Sequence, residues 1–189
     1  MADFRGKTVL ITGASYGLGE GFAHGFAEAG ADLVLTARSA DILEGVAEVC
    51  RAKGSKVTVV PGDVSIEDDV IRVVTAGIAA HGRIDALVNN AGVSDMRGLA
   101  PEQFDMATWN WIMSIDLNGA FMYMREVGRH MLSSGGGSIV NICSIMGHGA
   151  NEMNVIAYTA AKGALRNVTM QLGCEWADRG VRVLSLIHI

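Results

Sequence analysis

Tyr158 and Lys162 stand four residues apart in the stretch AYTAAKGAL, residues 157–165. Ala and Leu favour a helix there, and positions i and i+4 of a helix share a face one turn apart. A phenol and an ammonium therefore point the same way. The chemistry that suits such a pair is proton transfer. A phenol in water titrates near 10 and is a poor base at neutral pH, but a neighbouring ammonium favours the phenolate. Tyr158 would then be able to exchange a proton with a bound group. Tyr-x-x-x-Lys also arises often by chance, so its context has to decide.

A second constellation is the loop TGASYGLG, residues 12–19. Gly13, Gly17 and Gly19 let backbone approach a phosphate closely, and a helix starting behind them supplies N–H donors and the positive end of a dipole. The spacing is G-x-x-x-G-x-G rather than the commoner G-x-G-x-x-G. A glycine-rich turn with only a packing role is the competing reading. Position decides against it, because the loop joins the first strand to the first helix, where doubly wound folds hold a dinucleotide.

The elements that must position these groups alternate. Short β-rich runs occupy 7–12, 31–37, 56–60, 84–90, 137–143 and 181–187. Helical stretches follow five of them: one to about residue 29, then 39–54, 65–82, roughly 106–132 and roughly 154–178. Ser39 and Ser65 are placed to cap the second and third helices, and Gly54 to end the second. Alternating βα units predict an α/β fold, a parallel sheet with right-handed crossovers and helices on both faces. Runs such as TVLI and ALV suit strands buried on both sides. If the sheet is of the dinucleotide-binding doubly wound kind, its order is 3-2-1-4-5-6. No linker, repeat or low-complexity segment interrupts residues 1–189, so a single domain is expected.

Composition narrows the function classes. Half of the 189 residues are hydrophobic and 19% are charged, as in a globular chain. The formal charge of −5, without a basic run, argues against nucleic acid or an anionic membrane as partner. No apolar run approaches the roughly 20 residues of a membrane helix, and Met1–Lys7 does not read as a signal peptide. Cys50, Cys143 and Cys174 are odd in number and widely spaced, which fits reduced thiols in a cytoplasmic protein. The five histidines show no metal-ligand spacing, and no metal is expected.

Thr12-Gly13-x-x-x-Gly17-x-Gly19, Asn89-Asn90-Ala91-Gly92, Ser144 and Tyr158-x-x-x-Lys162 occur in an order that resembles the short-chain dehydrogenases/reductases. IDLNGAF, residues 115–121, is similar to the family segment that carries a catalytic Asn, here Asn118. Each motif alone is weak; five in order, each at the expected strand end or helix, are specific. The resemblance implies a Rossmann-type nicotinamide cofactor site and a catalytic set of Asn118, Ser144, Tyr158 and Lys162. In it, Ser144 would donate a hydrogen bond to the reacting oxygen. Lys162 would also bond the nicotinamide ribose, and Asn118 would hold a water that relays protons to the Lys. The cofactor would lie on Gly13, Ser15, Tyr16, Gly17, Leu18 and Gly19, with Asp63 on the adenine and Val64 packing its ring. Asn90, Ala91 and Gly92 would leave room for the ribose. The Ser144–Tyr158 spacing is one residue longer than the family's commonest, so a slight bulge is expected in that loop.

The end of the second strand bears on which cofactor. Where relatives preferring NAD carry an acid, this chain has Ala37, followed by Arg38 and Ser39. An Arg suits a 2′-phosphate by charge and bidentate geometry, so NADP is expected ahead of NAD. His148, Asn151, Glu152 and Met153, with Ser94–Leu99 opposite, are the expected substrate-pocket candidates. The function expected is NAD(P)-dependent interconversion of a secondary alcohol and a ketone. The alternatives are an epimerase or dehydratase relative, whose loop usually reads G-x-x-G-x-x-G, and a non-catalytic NADP-sensing protein. The resemblance also implies a homotetramer, for which the small residues Ala157, Ala160, Ala161, Gly163 and Ala164 offer a close helix contact. After VRVLSLI the family pattern would continue to a seventh strand and a substrate lid. The chain is therefore read as incomplete at its C-terminus, and as inactive and prone to aggregate as it stands.

Overall fold

The structure, a computed structural model, describes residues 3–95, 97–149 and 152–187. Six strands form one parallel sheet: β1 (Thr8–Thr12), β2 (Asp32–Thr36), β3 (Val57–Val59), β4 (Ala86–Asn89), β5 (Gly137–Ile142) and β6 (Val181–Leu186). Their order is β3-β2-β1-β4-β5-β6, as the resemblance implies. The crossovers are α1 (Gly17–Glu28), α2 (Ala40–Ala52), α3 (Glu67–His81), α4 (Met106–Met113) with α5 (Ala120–Ser133), and α6 (Ile156–Trp176).

The period-two geometry of a strand sends successive side chains to opposite faces. Leu10, Val34, Leu87 and Ile139 enter one core with Val70, Val73 and Val74 of α3 and Tyr123, Met124, Val127 and Met131 of α5. Their neighbours Val9, Ile11, Leu33, Leu35 and Val88 enter the other core, with Ala23 and Ala27 of α1 and Leu43, Val46, Ala47 and Cys50 of α2. This double burial is why these strands read as continuous apolar runs.

Three local expectations change. Ser39 is the N-cap of α2, but its side chain makes no capping bond. The N-cap of α3 is Ile66, not Ser65; the Ser65 hydroxyl and backbone N–H are both spent on Asp63 Oδ1, at 2.7 and 2.9 Å. The helix expected over 106–132 is interrupted: Ser114–Gly119 forms a π-helical turn between α4 and α5. Such wide turns cluster at functional sites, and this one faces α6.

Candidate active site

The C-terminal ends of β1, β2 and β4 open on a cleft of about 420 Å³. It is lined by Gly13, Ser15, Tyr16 and Leu18 of the first loop, Ala37, Arg38 and Ser39 after β2, Asp63 and Val64 after β3, and Asn90, Ala91 and Gly92 after β4. The glycines shape it. Gly13 has φ +63°, and a Cβ there would lie 2.9 Å from Ala91 Cα. A Cβ on Gly19 would fall 2.1 Å from the Gly13 oxygen. Gly17, φ +57°, makes the turn into α1; neither Gly17 nor Gly19 lines the cleft itself. Tyr16, the N-cap of α1, makes no side-chain capping bond, so its side chain does not cover the first amides of α1.

Asn90 ties this loop to β4. Its Nδ2 donates to the carbonyls of Thr12 and Gly13, both at 3.1 Å. Thr12 Oγ1 accepts from the backbone N–H of Asn90 at 3.0 Å and of Ala91 at 3.1 Å. Asp63 holds Ser65 as described, and its own N–H donates to Asp69 Oδ2 at 2.8 Å, which fixes the loop after β3. Arg38 is exposed and forms no ion pair among the described residues, while Ala37 beside it is buried.

A second cleft of about 440 Å³ adjoins the first, sharing Leu18, Asn90, Gly92 and Val93. Its other walls include Ser144, Tyr158 and Lys162, with Ser94, Cys143, Met146, Met153 and Val155. Tyr158 and Lys162 sit one turn apart on α6, and Lys162 Nζ lies 5.6 Å from the centre of the Tyr158 ring. Ser144 follows β5 and caps the short 3₁₀ turn Ile145–Gly147, its Oγ accepting from Met146 N–H at 3.2 Å. That bond does not use the hydroxyl hydrogen, which stays available as a donor. The expected substrate-wall residues divide. Ser94 and Met153 line the cleft; His148 and Glu152 are exposed and do not. Asn151 lies outside the described residues.

Lys162 is 4% exposed, and a buried ammonium needs partners. It donates to the Ile142 carbonyl at 3.1 Å and lies 3.3 Å from Asp116 Oδ2. That second contact is an ion pair without the alignment of a hydrogen bond. Asp116 is fully buried, and its Oδ1 accepts from Val93 N–H at 2.7 Å. Burial pushes the Asp116 carboxyl above the ordinary carboxylate range, while the Lys162 ammonium and the Val93 N–H pull it back. A Cβ on Gly92 would sit 3.2 Å from Asp116 Oδ2 and 3.3 Å from Lys162 Nζ, so glycine is what admits the pair beside the strand end.

The structure thus brings Ser144, Tyr158 and Lys162 together, and it does not bring Asn118 to them. Asn118 is exposed and lines neither cleft. Residues two apart on a helix lie roughly 200° apart around its axis, so with Asp116 turned inward Asn118 turns out. The segment IDLNGAF does carry the polar group that meets Lys162, but that group is Asp116. A signal for it exists: Asp116 falls four residues after Ile112 and three before Gly119, on the buried stripe of an apolar stretch. A lone carboxylate there demands a buried partner.

Among the described residues, no group of three or more His, Cys, Asp or Glu is placed to hold a metal ion, and no helix is long and apolar enough to cross a membrane. A family model described as short chain dehydrogenase matches residues 7–187. Gluconate 5-dehydrogenase of Gluconobacter oxydans strain 621H is 38% identical over 181 residues, covering 96% of this chain and 70% of that protein. Glucose 1-dehydrogenase of the same strain is 36% identical over 181 residues, covering 95% and 67%. Among solved structures, a metagenomic short-chain oxidoreductase in complex with NADP superposes with a TM-score of 0.92 at 32% identity, covering 97% of this chain and 82% of that one.

Proposed function

The chain belongs to the short-chain dehydrogenase family of NAD(P)-dependent oxidoreductases, and from that premise we propose that it interconverts a secondary alcohol and a ketone, with Tyr158 as the proton donor and acceptor. One observation carries this reading: Ser144, Tyr158 and Lys162 line a cleft that runs into the glycine-loop cleft through Leu18, Asn90, Gly92 and Val93. A nicotinamide cofactor would be held by the first cleft. The fit rests on the space that Gly13, Gly19 and Gly92 leave and on Arg38, which has no ion pair among the described residues. When bound, that cofactor supplies or accepts the hydride.

The chain's own residues do the rest. Tyr158 gives its proton to the forming alkoxide oxygen, or removes it from an alcohol. Ser144 Oγ–H donates to the same oxygen and holds it beside the phenol. Lys162, one turn along α6, favours the phenolate by its charge. Arg38 lines the first cleft and is exposed; its guanidinium would suit a 2′-phosphate, so we propose NADP ahead of NAD. A single domain, reduced thiols in a cytoplasmic setting and a homotetrameric assembly belong to the same proposal. The relatives named for gluconate and glucose favour polyhydroxylated substrates, with no nucleic acid or membrane as partner.

The test follows NADPH and NADH oxidation across a panel of ketones, diketones and keto-sugars. Tyr158→Phe lowers turnover by about 10²–10⁴-fold, the scale of a lost general acid–base, and leaves NADPH binding intact. A loss below tenfold would remove Tyr158 from this role.

A further inference from the structure

We propose that Asp116 is the positioning residue of Lys162: a buried counter-ion that fixes the ammonium and offsets its charge, and so sets the pH at which Tyr158 exchanges its proton. This rests on the reading of Tyr158 as the acid–base group.

The geometry is specific. The carboxylate is fully buried, anchored through Oδ1 on Val93 N–H at 2.7 Å, and presents Oδ2 to Lys162 Nζ at 3.3 Å. The same ammonium is bonded to the Ile142 carbonyl and stands over the Tyr158 ring. A lone ammonium next to a phenol stabilises the phenolate; a carboxylate in contact with that ammonium cancels much of the effect. Burial of Asp116 and Lys162 limits solvent screening between them, while Tyr158 is half-buried at the cleft wall.

Other charges do not replace Asp116. Around Lys162, the titratable side chains on neighbouring elements are Cys143 after β5 and the exposed His148 after the 3₁₀ turn. Asp95 and Asp105, near α4, share Arg97. On α5, Arg125 and Arg129 pair with Glu126, and Arg125 also with Glu67; His130 stands in its last turn, its Nε2 accepting from Ile84 N–H. On α6 itself, Arg166 and Glu175 lie further along. Asp178, Arg179 and the Arg182 of β6 follow the C-terminal end of α6, about 20 Å along its axis from Lys162. The ion pair of Lys162 among the described residues is with Asp116.

The experiment titrates the tyrosines of the 189-residue chain by phenolate ultraviolet difference absorbance, with neither cofactor nor substrate. Tyr158→Phe in each background subtracts Tyr16 and Tyr123. Asp116→Asn keeps an acceptor for Val93 N–H and removes the charge; circular dichroism melting establishes that it is folded. The Tyr158 step is expected about one pH unit lower in Asp116→Asn than in the unmodified chain. Coincident steps overturn the proposal. If Asp116→Asn does not fold, Lys162→Met and Lys162→Met/Asp116→Asn decide. The double variant removes both charges and leaves none unpaired. Its step is expected back near that of the unmodified chain, below that of Lys162→Met. Equal steps in the two variants would mean Asp116 carries no charge beside Lys162, and the proposal falls. Because the readout needs no turnover, a Tyr158→Phe loss of turnover below tenfold strikes the proposed function alone. An active enzyme with coincident steps strikes this inference alone.

Discussion

At the residue scale, two side chains, one in each of the adjoining clefts, show how charge without a partner differs from charge with one. Lys162 is buried and paired, so its charge is committed within the fold. Arg38 is exposed at the cleft wall and unpaired among the described residues, so its charge is free for a ligand. A charge-assisted bond to phosphate contributes about 1.5–3 kcal/mol, or roughly 10- to 100-fold in affinity. Arg38→Ala is therefore expected to weaken NADPH by that factor and to leave NADH nearly unchanged, as read by fluorescence titration of each. Equal losses for both would show that Arg38 does not read the 2′-phosphate. Ala37 agrees with the proposed NADP preference, since an acid there would repel a 2′-phosphate.

At the element scale, α4 is the short helix that leads into the π-helical turn carrying Asp116, and its start is held by one carboxylate. Asp105 is the N-cap: Oδ1 accepts from Thr108 N–H at 2.7 Å and Oδ2 from the Thr108 hydroxyl at 3.0 Å, with Arg97 also at 3.1 Å. These bonds, that of the Thr108 amide foremost, hold the Asp105 carboxyl down at about 2 against an ordinary 3.8. A depressed folded-state value means stability present above the unfolded value and lost as pH falls through the folded one. The cap is thus complete above about pH 4 and lost towards pH 2. Asp105→Ala is expected to lower the melting temperature at about pH 6, with the difference from the unmodified chain shrinking as pH approaches 2. A difference that stays constant across that range would show the carboxylate is not what caps α4. The consequence reaches the site, because Ile112 of α4 packs on Ala157 and Ala161, the residues flanking Tyr158 and Lys162 on α6.

At the scale of the whole molecule, the sheet has one edge with an apolar outer face. β6 pairs with β5 along Val181–Leu186, and Leu184 and Leu186 are 49% and 48% exposed. Exposed edges of this kind recruit other chains. Leu184→Lys with Leu186→Lys is expected to lower the light-scattering mass or the aggregated fraction of this chain at micromolar concentration. An unchanged mass would place self-association elsewhere. The small residues of α6 offer less to an assembly than their number suggests. Ala157 and Ala161 are already buried in the core with Ile112, which leaves Ala160, Gly163 and Ala164 half-buried for a second helix.

The order of strands and helices was legible in the residues because it depends on local signals: apolar runs of strand length, glycine where the chain turns with positive φ, and Tyr and Lys one helical turn apart. The glycine loop, Asp63, Asn90 and Arg38 were legible for the same reason, since each lies in the loop after a strand that the pattern locates. Other features depended on three-dimensional packing. The capping position of Ser65 passed to Ile66 because Asp63 competes for the hydroxyl, a choice between two nearby bonds that spacing does not rank. The break at Ser114–Gly119 turns Asp116 inward and Asn118 outward, and a rotation about a helix axis is invisible until the helix has a neighbour. The sequence by itself determined which groups are available and on which elements they ride. Only the tertiary structure decided that the carboxylate meeting Lys162 is Asp116, because desolvation and the Val93 amide act on it only once β4, α6 and the π-helical turn have closed around it.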